Sequence, residues 1–289
     1  FFNKNYEGDY PKECPISLDE LNEIYPYASS RAKEDESYLE EARDFTTRLQ
    51  NREKGIFDLW KTFYQLSVND IKRVYTLLGC TFDLWEGEYD ADPYIKPLLE
   101  YLKNNNYTEI SDGATIINVK EDNDTREIPP VILIKSNGGV LYDTTELATL
   151  YSRMKNYKFD KMIYLTDVRQ ELHFIEAFRA AYKTNIIPRN IDLEWFGFGT
   201  MNGPDGKPFK TRDGGVMSLN NLIELTKNET KKVIKDNIPD DKKDDVALNL
   251  ALAAIKYGDL LPHRSTDYIF DPIKFSDING KTGPYIIYN

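Results

Sequence analysis

Carboxylates, amides and glycines, rather than histidines, are the groups in this sequence whose spacing could support chemistry. Glu86-Gly87-Glu88 sets two acids around a glycine. Paired acids suit planar, bidentate recognition of a guanidinium, or capture of an ammonium, although acidic surface loops look the same. Tyr142, Glu146, Gln170 and Gly197-Phe198-Gly199 each follow a short hydrophobic run. If those runs are neighbouring parallel strands, these residues face one crevice, because ligands gather outside the carboxyl ends of such strands. Glu146 falls in the first turn of a helix, where the dipole favours a carboxylate with or without a ligand. Residues 203–215 form a glycine-rich loop carrying Lys207, Lys210 and Arg212. A cationic loop of this kind suits clamping a polyphosphate whose charge must be neutralised as a leaving group departs. A hairpin tip with solvated lysines would have the same composition. It is not a P-loop, and Asp122-Asn123-Asp124 lacks the glycine and final glutamate of a calcium loop.

Composition removes several alternatives. The 289 residues carry 37 Lys+Arg against 48 Asp+Glu, a net charge of −11, so bulk charge does not advertise nucleic-acid binding. With 29% charged and 40% hydrophobic residues, the chain has the make-up of a soluble globular protein. No apolar run approaches the roughly 18 residues of a membrane span, and no secretory pattern opens the chain. Cys14 and Cys80 are too few and too far apart for a disulfide scaffold or a cysteine-based zinc site. A reducing, cytoplasmic setting is the expectation. Only His173 and His263 occur, which disfavours histidine-rich metal centres and Ser-His-Asp catalysis; no metal ligand set is expected, and His263 reads as structural.

The elements that must position these groups begin with helices. Leu39, Ala42, Phe45 and Leu49 recur at helical spacing, as do Ile56, Leu59, Trp60 and Phe63. Ser67-Val68-Asn69-Asp70 reads as a cap opening another helix that Gly79 stops. The β-rich runs 114–119 and 131–134 predict an antiparallel hairpin joined through Glu121-Asp122-Asn123-Asp124. Next come a strand at 140–142, a helix at 145–155, and an apolar strand at 162–165 expected to be covered on both faces. A helix at 170–183 and a strand at 193–196 complete β-α-β-α-β, about half of a doubly wound sheet. Helices return at 218–235 and from about 244 to 261, and Lys227, Lys231, Lys232 and Lys235 read as a solvated face that an RNA backbone could use.

With these residues in view the chain resembles the catalytic domain of arginyl-tRNA synthetases, a class I family. The matching segments, in order, are Phe82-Asp83-Leu84-Trp85-Glu86-Gly87-Glu88, then Leu141-Tyr142-Asp143-Thr144-Thr145-Glu146-Leu147-Ala148, then Arg169-Gln170-Glu171-Leu172-His173-Phe174. The loop from Asp205 to Gly215 follows, and then Arg264-Ser265-Thr266-Asp267-Tyr268 with Thr282-Gly283-Pro284-Tyr285. Members activate L-arginine with ATP and Mg²⁺ to arginyl-adenylate, releasing pyrophosphate, and transfer the arginyl group to tRNA(Arg). No membrane or protein partner is implied. By the resemblance, Glu88, Tyr142, Glu146 and Gln170 belong to the arginine pocket. His173 and Gly197-Phe198-Gly199 lie on the ATP side, and Lys210 and Arg212 are the catalytic cations, Lys210 also binding ATP.

The implied fold is α/β: the second half of a class I, Rossmann-like, parallel-sheet nucleotide-binding catalytic domain with a helical lead-in and an inserted β-hairpin. Residues 1–79 would be helical connection, 80–217 the carboxyl-terminal half of the nucleotide-binding domain, and 218–289 a helical segment leading toward an anticodon-binding domain. Glu146 stands where Asp is more usual, and Tyr89 where Ser commonly follows Gly-Glu. No His-x-Gly-His occurs in the sequence. A catalytic-domain fragment, inactive in pyrophosphate exchange by itself, is therefore expected. Two other readings stay open: a non-catalytic module binding arginine or a basic peptide, and another nucleotidyl transferase with a different amino-acid pocket.

Overall fold

The computed structural model describes residues 16–136, 138–209, 217–235 and 238–288. The chain divides into two compact units, residues 1–81 and 82–289. The described part of the first unit is three helices: α1 (Leu18–Glu34), α2 (Glu36–Gln50) and α3 (Lys54–Leu77). Ser17 opens α1 with a reciprocal capping box, its hydroxyl accepting from the Glu20 N–H while the Glu20 carboxylate accepts from the Ser17 N–H. Asp35 ends α1 and caps α2 through the Tyr38 N–H. The cap expected at Ser67 is not used: α3 runs through it as one helix. Neither glycine nor proline interrupts residues 56–78, so nothing breaks the backbone hydrogen-bond ladder there. Gly79, at φ 65°, follows the end of α3 in the left-handed conformation that a side chain would resist.

The second unit opens with α4 (Asp92–Asn104), β1 (Glu109–Ser111), β2 (Ala114–Ile117), β3 (Val131–Ile134) and α5 (Tyr142–Asn156). It continues through β4 (Lys161–Asp167), α6 (Glu171–Lys183), β5 (Asp192–Phe198) and β6 (Met201–Asn202). Then come α7 (Leu219–Val233), α8 (Asp240–Leu260), β7 (Tyr268–Ile269), α9 (Pro272–Phe275) and α10 (Gly283–Tyr288). β2 and β3 pair antiparallel, as their sequences predict, and β1 extends them to three strands. β4 and β5 pair parallel in unbroken register from Lys161↔Asp192 to Asp167↔Phe198. The architecture is α/β with parallel and antiparallel pairings.

Two expectations change here. Residues 140–142 are not a strand: Val140 makes one antiparallel bridge to Ile134, and Tyr142 already begins α5. The Leu141 carbonyl accepts from the Thr144 N–H at 3.0 Å, so the helical turn starts where the β-rich composition predicted extension. The described parallel pairing around the site is therefore β4 with β5, not three strands. Second, β4 is not covered on both faces, because Ile163 is 51% and Leu165 68% exposed. Further along, α8 starts at Asp240 rather than near Asp244, with acids filling its first turn.

The core between α4, α5, α6 and the strands joins Leu98, Leu102, Ile117, Val131, Leu133, Leu147, Leu150 and Ile187, each at most 1% exposed. Each such side chain contributes about 1.5–3 kcal/mol by leaving water. α7 packs on α8 through Leu222, Ile223, Leu250 and Ala254, and the buried Thr230 hydroxyl donates to the Ala247 carbonyl at 2.7 Å. The lysines of α7 are not simply solvated, since Lys227 and Lys231 both pair with Asp244 of α8.

Candidate active site

α5 is fixed before it presents anything. The wholly buried Thr144 donates its hydroxyl to the Leu133 carbonyl at 2.7 Å, tying the first turn to β3. Thr144, Leu147, Ala148 and Leu150 then face the core. Tyr142, Thr145, Glu146, Thr149, Ser152, Arg153 and Asn156, at steps of three and four, share the other side and line a cavity of about 530 Å³. That volume is in the range of small-molecule sites. Residues 86–91 close another wall. The Gly87 N–H donates to the Asp90 carboxylate at 2.7 Å, opening a 3₁₀ turn that brings Glu86, Glu88 and Ala91 to the cavity. Tyr157 donates to Glu86 at 2.9 Å, and Asn156 to the Tyr94 hydroxyl at 2.8 Å. β4 supplies Tyr164, whose hydroxyl accepts from Arg153 at 2.8 Å.

The charge balance is uneven. Glu146 is largely buried, and its Oε1 has no hydrogen-bond partner. Burial pushes its carboxyl above the ordinary range and Glu88 adds to that, while the Tyr164 hydroxyl, His173 and Arg153 pull the other way. Burial also raises the Tyr142 and Tyr164 phenols, with Glu146 adding to both. A buried acid with an idle acceptor oxygen is costly in the empty pocket, and it is the group a desolvated cation would satisfy.

Glu88, Tyr142 and Glu146 therefore line one cavity. Gln170 does not: it is exposed at the end of a 3₁₀ turn after β4. His173 lies beside the cavity rather than in its lining. Its Nδ1 sits 3.0 Å from the Asp143 carboxylate, its ring centroid is 4.5 Å from that of Tyr142, and its buried Nε2 has no partner. With the Asp143 carboxylate as acceptor, a ring hydrogen belongs on Nδ1, and the buried Nε2 is left to face a further polar group.

Gly197-Phe198-Gly199 stands at the carboxyl end of β5, and the reason for its glycines is internal. A Cβ on Gly199 would fall 2.4 Å from the Thr266 backbone, and one on Gly197 would fall 2.6 Å from the Trp195 ring. Arg264 pins the turn, donating to the Gly197 carbonyl at 3.0 Å and accepting from the Gly199 N–H at 2.8 Å. Phe198 is left 46% exposed. Lys210 and Arg212 lie outside the described residues. Among the described residues no group of three or more His, Cys, Asp or Glu is arranged to hold a metal, and no helix is long and apolar enough to cross a membrane.

Sequence reasoning missed Tyr94, Thr149, Ser152, Arg153, Asn156 and Tyr164. A usable signal existed for α5: counting threes and fours from Tyr142 gives the cavity face, but only if the helix starts there.

A family model described as tRNA synthetases class I (R), catalytic domain, matches the chain over residues 2–272, and the chain belongs to that family. The arginine–tRNA ligase of Alkaliphilus oremlandii is 46% identical over 290 residues, covering 100% of this chain and 49% of its own. That of Agathobacter rectalis is 48% identical over 296 residues, covering 100% and 50%. The chain thus spans about half the length of the curated relatives it matches. The crystal structure of arginyl-tRNA synthetase from Plasmodium falciparum superposes with a TM-score of 0.72 at 28% identity, over 88% of this chain and 42% of that one. The Thermus thermophilus arginyl-tRNA synthetase shares the fold at a TM-score of 0.61 and 19% identity, over 88% and 49%.

Proposed function

We propose that this chain supplies the amino-acid pocket of an arginine–tRNA ligase, which joins L-arginine to ATP, with its Mg²⁺, as arginyl-adenylate and passes the arginyl group to tRNA(Arg). One observation carries the reading: the buried Glu146 carboxylate leaves Oε1 unpartnered beside a cavity that Glu88 also lines. A guanidinium satisfies that oxygen and supplies planar donors for the second acid. Tyr142 flanks the ligand, and Gln170 contributes from the rim.

No general base is needed, because the carboxylate of arginine is already ionised when it attacks the α-phosphorus. The protein's task is then positioning and charge neutralisation. We assign ATP to the carboxyl ends of β4 and β5, beside His173 and Gly197-Phe198-Gly199, as ligands of parallel strands generally sit. The exposed Phe198 ring and the idle Nε2 of His173 support that assignment. Lys210 and Arg212 take the phosphate charge. In this reading residues 80–217 are the carboxyl-terminal half of a Rossmann-like nucleotide-binding domain, with β2–β3 as an inserted hairpin. Residues 1–79 are helical connection, 218–289 are a following helical segment, and the working compartment is the cytoplasm.

Calorimetry with arginine and with citrulline, its neutral isostere, tests the proposal. Citrulline should bind at least about thirtyfold more weakly, the lower bound for losing one partner of a buried charge pair. Equal affinity for the two would overturn it.

A further inference from the structure

Tyr142 lines the arginine pocket with little of its own to hold it there. It is the first residue of α5 and is 49% exposed. The described polar contacts include none to its hydroxyl. What meets its ring is His173 of α6, with centroids 4.5 Å apart and the planes tilted by 32°. His173 is itself held from two sides. The ring of the buried Phe174 stands nearly at right angles to it, 5.1 Å away between centroids, and its Nδ1 lies 3.0 Å from the Asp143 carboxylate.

The last side-chain torsion of histidine or tyrosine has only a broad preference, so such rings need contacts to fix their planes. Asp143 is the chain neighbour of Tyr142, and consecutive residues of a helix do not face each other. The carboxylate therefore reaches the phenol through a ring that α6 supplies. We infer that Asp143 is a positioning residue for amino-acid recognition: it fixes the His173 ring, and the fixed His173 ring sets the plane of Tyr142 at the pocket wall.

This rests on the arginine-binding reading above and deepens it, naming what orients one wall of that pocket. A carboxylate in the first turn also favours a helix by its charge alone, and Asp143 occupies the first turn of α5. The two roles make different demands. Helix stabilisation needs the negative charge, whereas bracing His173 needs an acceptor oxygen. The Asp143 side chain is 27% exposed and that of His173 14%, so their bond lies largely out of bulk water, where a polar contact is stronger. Asp143 does not itself line the cavity, and neither does His173. Their effect on a ligand passes through Tyr142.

Calorimetry of the full 289-residue chain with arginine and with citrulline tests this on the parent, Asp143→Ala, Asp143→Leu, Asp143→Asn and Tyr142→Ala, with circular dichroism reporting folding. Asp143→Ala and Asp143→Leu should each weaken arginine binding roughly fivefold, the scale of one aromatic pairing. Asp143→Asn keeps the acceptor and loses the charge, so it should retain the parent's affinity even where its melting temperature falls with the others. Should Asp143→Ala not fold, Asp143→Leu takes its place. Proton spectra add a signature. The chain has two histidines, and His263, outside the cavity lining, serves as the reference. The Tyr142 ring should set the His173 ring signals apart in the parent and in Asp143→Asn, and the Ala and Leu variants should lose that displacement. Affinity unchanged in Asp143→Ala and Asp143→Leu, affinity lost equally in Asp143→Asn, or His173 signals unmoved in every variant overturns the Asp143 role. So does Tyr142→Ala binding arginine as the parent does. In each of these cases a persistent preference for arginine over citrulline leaves the arginine pocket standing. Equal affinity for the two ligands in the parent overturns both.

Discussion

Two cavities of nearly equal size are built on opposite principles. The first, about 530 Å³, holds Glu146 with an oxygen that has no partner. The second, about 540 Å³, is lined by Lys120, Arg179, Lys183 and Arg189 with Phe178 and Tyr182. Here the half-buried cation is fully engaged. Arg179 makes two bonds to Asp124, at 2.7 and 2.9 Å, and another to the Val119 carbonyl. Lys183 donates to the Asn118 carbonyl, and Arg189 lies over the Tyr182 ring. One cavity leaves its buried acid waiting, and the other spends its charge holding the 118–124 loop onto α6. The two acids accordingly shift in opposite directions: burial raises Glu146, and the Arg179 hydrogen bonds lower Asp124. An unsatisfied buried group marks a site for a ligand more sharply than volume or charge count does.

The largest test of that contrast is Glu146→Gln, expected to cost at least about thirtyfold in calorimetric arginine affinity. Glu88→Gln, at an exposed acid of the same cavity, should cost only a few-fold, as rim charges do. If Glu88 proved the more damaging site, burial would not be what makes the acid matter.

The next effect is pH dependence. Glu146 must be ionised to receive a guanidinium, and its raised carboxyl protonates sooner than an ordinary glutamate as pH falls. Arginine affinity should therefore decline on the acid side from above the usual carboxylate range, by up to about tenfold per pH unit below the midpoint. Affinity constant down to pH 4.5 would contradict this.

Stability should respond with opposite signs. A raised acid favours folding below its unfolded pKa and loses that contribution as pH rises through the folded value. Without ligand, Glu146→Gln should thus raise Tm at neutral pH, with the gain vanishing below about pH 4. A lowered acid contributes above its unfolded pKa and loses that contribution as pH falls through the folded value. Asp124→Asn should lower Tm by a few degrees at neutral pH and progressively less in acid, leaving arginine affinity unchanged. Thermal scans at pH 4 and pH 7.5 distinguish the two. A loss of arginine affinity in Asp124→Asn would dissolve the division between ligand site and structural clamp.

Part of this was legible in the sequence. Glu88, Tyr142 and Glu146 could be singled out because ordered motifs carried them, and β2 with β3 because two short β-rich runs joined by an acidic turn predict a hairpin. The start of α5 was not legible: Val140-Leu141-Tyr142 is locally β-rich, and only the Thr144–Leu133 bond and the core stripe show that the helix has begun. That single misplacement hid Thr149, Ser152, Arg153 and Asn156. Tyr164 was hidden for another reason. In an apolar run it reads as packing, and nothing local says that an arginine from the preceding helix reaches its hydroxyl. The glycines at 197 and 199 were visible, but their cause, the closeness of residues 264–267, is a long-range fact.

α5 carries its pocket residues and its core residues on one rigid rod, so neither set can be re-aimed alone. Insertion of a single residue after Thr144 would rotate everything downstream by about 100°, swinging Glu146 into the core position of Leu147 and Ala148 out to the cavity position of Thr149. Length changes are thus barred along this stretch, and natural or engineered diversification of the pocket must proceed by exchange of side chains in place.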